Sequence, residues 1–190
     1  YGQLGLGDTT DRSTPTLITA LNGIVVKDII NDYYSTYFLT TDGKVYSCGS
    51  NSYGQLGLGD TTDRSTPTLI TALNGIVVKD IINDYYSTYF LTTDGKVYSC
   101  GSNSYGQLGL GDTTSRSTPT LISALNGIVV KDIIVNNYST YFLTTDGKVY
   151  SCGNNDYGQL GLGDTTDRST PILITTLDGI VVSDIIVNNN

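Results

Sequence analysis

The stretch YGQLGLGDTTDRSTPTLI opens at Tyr1, recurs unchanged at Tyr53, recurs with one substitution at Tyr105 and returns at Tyr157, always 52 residues on. Residues 53–104 match residues 1–52 at every position. A period of this length makes each unit one supersecondary structure, which buries its apolar face only against its neighbours. The repeats run 1–52, 53–104 and 105–156, with a partial copy at 157–190. The chain begins and ends inside a repeat, so it is expected to be part of a longer propeller or array.

Residue usage decides what the unit is made of. All 18 acidic residues are Asp, Met is absent, and Ala occurs only at positions 20, 72 and 124. The helix formers Glu and Met are therefore missing and Ala is scarce, while Thr, Val, Ile and Tyr, which suit strands, abound. In the first unit, Asn22-Gly23 and Asp42-Gly43 carry the signal of two-residue type I′ hairpins. They predict an up-and-down meander of four strands at about 16–21, 24–30, 35–40 and 44–48, joined to the next unit by the Gly-, Asp- and Thr-rich stretch. IVVKDII and TYFLT carry apolar residues at both parities, as strands covered on two faces do. Four strands in a unit of this size predict a β-propeller blade: three full blades and a partial fourth in an all-β chain.

The run DGKVYSCGSNSYGQLGLGDTTDRSTPTLI resembles the repeat of the regulator of chromosome condensation family. The resemblance covers the whole chain. It implies a β-propeller in which GQLGLGD connects one blade to the next, and a guanine-nucleotide exchange activity of the kind best known for the family's founding member. The sequence departs from the family pattern at three places. Cys48, Cys100 and Cys152 stand where the family often has Trp, and Ser35, Ser87 and Ser139 stand where it favours His. Asp32, Asp84, Asn136 and Asn188 occupy a Gly position, as the non-Gly residues that best tolerate a left-handed backbone.

The formal charge of −8 disfavours a sequence-independent grip on nucleic acid or on anionic membranes, and no apolar run is long enough to insert into a bilayer. The glycines of YGQLGLGD are followed by no Lys-Ser or Lys-Thr pair, so they make no phosphate loop. Asp8, Asp11 and their repeats suit turns and the capping of loop amides better than calcium. There is no His to activate a Ser nucleophile or to join the cysteines around zinc, and the cysteines read as small buried side chains. No cofactor is expected and no enzymatic activity. An active site needs a singular constellation, whereas near-identical blades offer multiples of one surface.

That surface is the candidate site. Tyr33, Tyr34, Tyr85, Tyr86 and Tyr138 fall on equivalent rims of successive blades, either as an interaction surface or as rings packed over the adjacent blade. The function expected is a non-enzymatic scaffold that presents repeated surfaces to proteins, glycans or copies of itself. The alternative is a regulator promoting guanine-nucleotide exchange on a small GTPase. Asn137 heads the only N-glycosylation sequon, and the composition favours an extracellular or cell-surface setting.

Overall fold

A computed structural model describes residues 1–84, 86–136 and 138–186. Its strands form three four-stranded antiparallel sheets. The first contains β1 (Val26–Asn31), β2 (Ser35–Thr40), β3 (Val45–Gly49) and β4 (Arg64–Leu69). The second contains β5 (Val78–Asp84), β6 (Ser87–Thr92), β7 (Val97–Gly101) and β8 (Arg116–Leu121). The third contains β9 (Val130–Asn136), β10 (Ser139–Thr144), β11 (Val149–Gly153) and β12 (Arg168–Leu173). Each sheet is a simple meander, and the first strands of adjacent sheets lie against one another, as in successive propeller blades. A partial fourth blade begins after β12 with a short 3-10 turn at Thr175–Leu177.

The blade boundary differs from the one predicted. The stretch RSTPTL of one repeat supplies the outer strand of the sheet begun by the repeat before it. The stretch expected as a first strand, 16–21, includes the 3-10 turn Thr19–Leu21, and Asn22-Gly23 closes the type II turn that follows it. Asn22 sits at φ −58 and ψ 128, Gly23 at φ +81, and the Ile24 amide donates to the Leu21 carbonyl at 3.0 Å. The stretch GQLGLGD accordingly joins the third strand to the fourth within one sheet and is not the covalent link between blades. It still touches the next blade: the Gly59 amide donates to the Ser117 carbonyl in β8, and a Cβ at Gly54 would lie 2.5 Å from the Ser117 Cα.

Asp42-Gly43 does make the β2–β3 hairpin, with different geometry. The Gly43 amide donates to the Thr40 carbonyl and Thr40 pairs with Lys44, so the loop has three residues and ends in a left-handed Gly at φ +79. A type I′ turn would also need a positive φ at Asp42, which has none.

The core lies between sheets. One cluster joins Tyr37, Leu39, Val45, Leu56 and Ile70 to Val78, Ile81, Phe90 and Cys100. The next repeats it one period on, with Tyr89, Leu91, Val97, Leu108 and Ile122 against Val130, Ile133, Phe142 and Cys152. All three cysteines are buried and unpaired, and burial pushes the Cys48 thiol up to about 12.

Candidate interaction rim

The rim is built at the turn between the first and second strands of each blade. In the first blade, Asp32 Oδ1 accepts the Tyr34 amide at 2.6 Å and the Ser35 amide at 2.7 Å. Its Oδ2 accepts the Ser35 hydroxyl and the amide nitrogen of Asn83 from the next blade. In the first blade this side-chain capping, rather than a left-handed backbone, closes the turn; neither Asp32 nor its counterparts Asp84 and Asn136 have a positive φ. The one described non-Gly residue that does is Tyr138, at φ +67. The Gly of YSCG braces the turn from below. Gly49 sits at φ +111, a Cβ there would lie 2.2 Å from the Tyr34 carbonyl, and that carbonyl accepts the Ser50 amide at 2.8 Å.

The second half of the rim comes from the loop after YSCG, which Asn51 holds in shape. Its amide donates to the Asp60 and Thr62 carbonyls, its Oδ1 accepts the Leu56 amide, and its own backbone amide reaches Asp63. The Asp60 and Asp63 carboxylates are thus spent on loop amides and on Arg64. This loop carries Tyr53 onto Tyr86 of the following blade, with ring centroids 4.8 Å apart. Tyr105 meets Tyr138 in the same way at 5.1 Å, and Tyr1 meets Tyr34 edge-on at 5.4 Å.

The structure therefore brings Tyr34, Tyr86 and Tyr138 into the rim, each against a tyrosine that the sequence analysis did not single out: Tyr1, Tyr53 and Tyr105. Tyr33 is 73% exposed and leans on Tyr34 at 6.3 Å. Tyr85 and Asn137 lie outside the described residues. The signal for the missed partners was the Tyr heading every YGQLGLGD, at the same offset from every turn. The rings pack across the blade boundary, yet Tyr53, Tyr105 and Tyr138 remain about 40% exposed. Their nearness is felt electrostatically: burial first, then the phenols of Tyr34, Tyr53, Tyr138 and Tyr1, raise the pKa of Tyr86 above the ordinary tyrosine value.

Beneath the rim, the Gln55 carbonyl gathers three donors from both sides of the interface: the hydroxyls of Tyr37 and Thr88 and the Cys100 thiol. The Gln107 carbonyl does the same for Tyr89, Thr140 and Cys152. These buried contacts fix the loop, and the loop fixes the exposed ring.

Four-stranded antiparallel meanders packed face to face, with their first strands adjacent, define a β-propeller. The pattern of the Regulator of chromosome condensation (RCC1) repeat matches residues 42–82, 94–143 and 146–187, and a second pattern of the same description matches 130–159. The chain belongs to this family. It is 40% identical over 179 residues to the ultraviolet-B receptor UVR8 of Arabidopsis thaliana, covering 94% of this chain and 41% of that protein. Among solved structures it superposes on human WBSCR16 with a TM-score of 0.71 and 27% identity, over 82% of this chain and 39% of the other. It superposes on Prp20p of Saccharomyces cerevisiae with a TM-score of 0.69 and 24% identity, over 78% of this chain and 38% of the other. The chain thus spans less than half the length of each of these proteins.

Proposed function

We infer that the chain is a non-enzymatic scaffold whose tyrosine rim takes a protein partner. The observation that carries this reading is the repetition of one half-exposed tyrosine pair along three successive blades, always on the same rim. Tyrosine offers a large apolar face with a polar tip and loses little side-chain entropy on contact, which favours it at protein interfaces. Equivalent pairs at successive blades also let one extended partner engage several at once, so modest contacts combine. Support from relatives is of the same kind: the study of Prp20p concerns its binding to Gsp1p and to histones, both proteins.

The exchange-factor reading requires distinct residues from several blades around one asymmetric GTPase. The rim offers near-copies of one surface, so the scaffold reading is the better supported.

Crosslinking of the protein to its partners in a cell extract, followed by peptide mapping, tests the proposal. Contacts should map to Tyr34, Tyr53, Tyr86 and Tyr105, and Tyr53→Ser with Tyr105→Ser should weaken capture about tenfold per residue that anchors the partner. Tyr46→Ser and Tyr98→Ser, at the opposite ends of the strands, should leave capture intact. Capture insensitive to the rim substitutions would reject a rim-bound protein partner. Binding to soluble polysaccharides, or concentration-dependent sedimentation of the protein alone, would replace it with a glycan or a second copy.

A further inference from the structure

The rim tyrosines have a chemical property separate from binding. Each pair joins one blade's loop to the next blade's turn, with centroids at 4.8 Å for Tyr53 and Tyr86 and 5.1 Å for Tyr105 and Tyr138. The rings are tilted by 50° and 37°, and at these centroid separations the two rings of each pair are direct neighbours. Both members of each pair reach solvent in part. The rest of the chain offers an oxidant little else. It contains no Trp, Met or His, and its three cysteines are buried with their thiols held protonated. Exposed thiolate, thioether and indole are the usual competitors for one-electron oxidation, and here the phenols stand alone.

We propose that the rim is an oxidative modification site, at which Tyr53 couples to Tyr86 and Tyr105 to Tyr138 as dityrosine, stapling adjacent blades covalently. The co-reactant is a haem-peroxidase-type one-electron oxidant driven by hydrogen peroxide. It removes one electron from each phenol while the hydroxyl proton leaves to solvent. The two phenoxyl radicals then join ortho carbon to ortho carbon, and each ring regains aromaticity by passing its ortho hydrogen to its own oxygen. Two tyrosines release two electrons and two protons, which one peroxide takes up to give two waters. A radical formed first on an exposed ring such as Tyr33, which leans on Tyr34, can pass along the row to a pair held close enough to couple.

The staple closes a covalent loop through the blade interface, and such a link destabilises the unfolded chain in the way a disulfide does. The inference rests on the geometry of the rim and needs no partner, so its failure leaves the binding proposal standing, and the reverse also holds.

Horseradish peroxidase with limiting hydrogen peroxide is the probe, applied to the dilute protein. Blue dityrosine emission should appear, the intact mass should fall by two hydrogen atoms per link, and mapped peptides should join Tyr53 to Tyr86 and Tyr105 to Tyr138. Tyr53→Phe keeps the ring and the packing but should abolish the first link and leave the second, while Tyr46→Phe should change neither. The melting temperature of the oxidised protein should rise by roughly 5 °C per link over the oxidised Tyr53→Phe, Tyr105→Phe double variant. Links that are chiefly intermolecular, links through Tyr33 or Tyr157 instead, or a yield unchanged by Tyr53→Phe would overturn the proposal. So would exhaustion of the peroxide with no link formed.

Discussion

The Tyr37 hydroxyl lies 2.8 Å from the Thr88 hydroxyl, although the two residues are 51 positions apart and belong to adjacent blades. Both also reach the Gln55 carbonyl, at 2.9 and 3.0 Å, so two hydroxyl protons serve three close oxygen contacts at a buried seam. Tyr89 and Thr140 repeat the arrangement around Gln107. Tyr141 does so only in part, donating to the Gln159 carbonyl from a half-buried position. Removing one hydroxyl leaves the carbonyl its other donors, so Tyr37→Phe and Tyr89→Phe should each cost about 1 kcal/mol, and Tyr141→Phe less. Urea denaturation of the three variants checks the order.

Glycine substitutions should separate two kinds of constraint. Gly23 has φ +81 and open space around its missing Cβ, so Gly23→Ala carries only backbone strain, about 1 kcal/mol. Gly49 has φ +111 and the Tyr34 carbonyl 2.2 Å from that Cβ, so Gly49→Ala must also push the rim turn away from β3. Its cost should exceed about 3 kcal/mol, with the fluorescence of the rim tyrosines altered. Equal melting temperatures for the two variants would contradict the close approach.

A buried amide left without a protein partner suggests a stabilising substitution. Gln55 Nε2 and Gln107 Nε2 are buried with no hydrogen-bond partner, whereas Gln159 Nε2 donates to Asn154 Oδ1 at 2.5 Å. The residues equivalent to Asn154 are Ser50 and Ser102. Ser102→Asn should place the missing acceptor and raise stability by about 1 kcal/mol. A loss of stability would mean that the covered interface lacks room for the larger side chain.

The pH response follows from two opposite shifts. Burial raises the Tyr37 and Tyr89 phenols well above the ordinary value of 10.0, so the folded state keeps protons that the unfolded state would release. Their contribution is full below pH 10 and is lost as pH rises beyond it. In the acid limb, hydrogen bonds from Lys44 and then Thr40 lower Asp42 from 3.8 to about 2, and Asp94 is lowered likewise by Lys96 and Thr92. That contribution is full above about pH 4 and disappears as pH falls towards 2. Because these carboxylates are exposed, the acid effect should be small and weakened by salt, and the alkaline transition the sharper. Melting temperatures across both limbs, at low and high salt, measure it.

Much of this protein follows from local sequence. The 52-residue period determines that identical structures stack, and the seam around Tyr37 duly recurs around Tyr89. STYFLT, apolar at both parities, is buried along its whole length in β2 and β6. Asp42-Gly43 marks its hairpin because a left-handed Gly is a local requirement. Which sheet RSTPTL joins is not local. Pro67 lacks an amide, so the strand holding it suits the edge of a sheet, and there the pairing shifts register between Thr68 opposite Ser47 and Arg64 opposite Gly49. The tertiary structure decided that the sheet is the one begun in the preceding repeat, since only that placement carries the intervening loop over the next blade and buries Leu56 between the two. The same placement sets Tyr53 on Tyr86, residues 33 apart in the chain. Only Tyr86 of the two stood out in the sequence, because their meeting depends on how two blades pack.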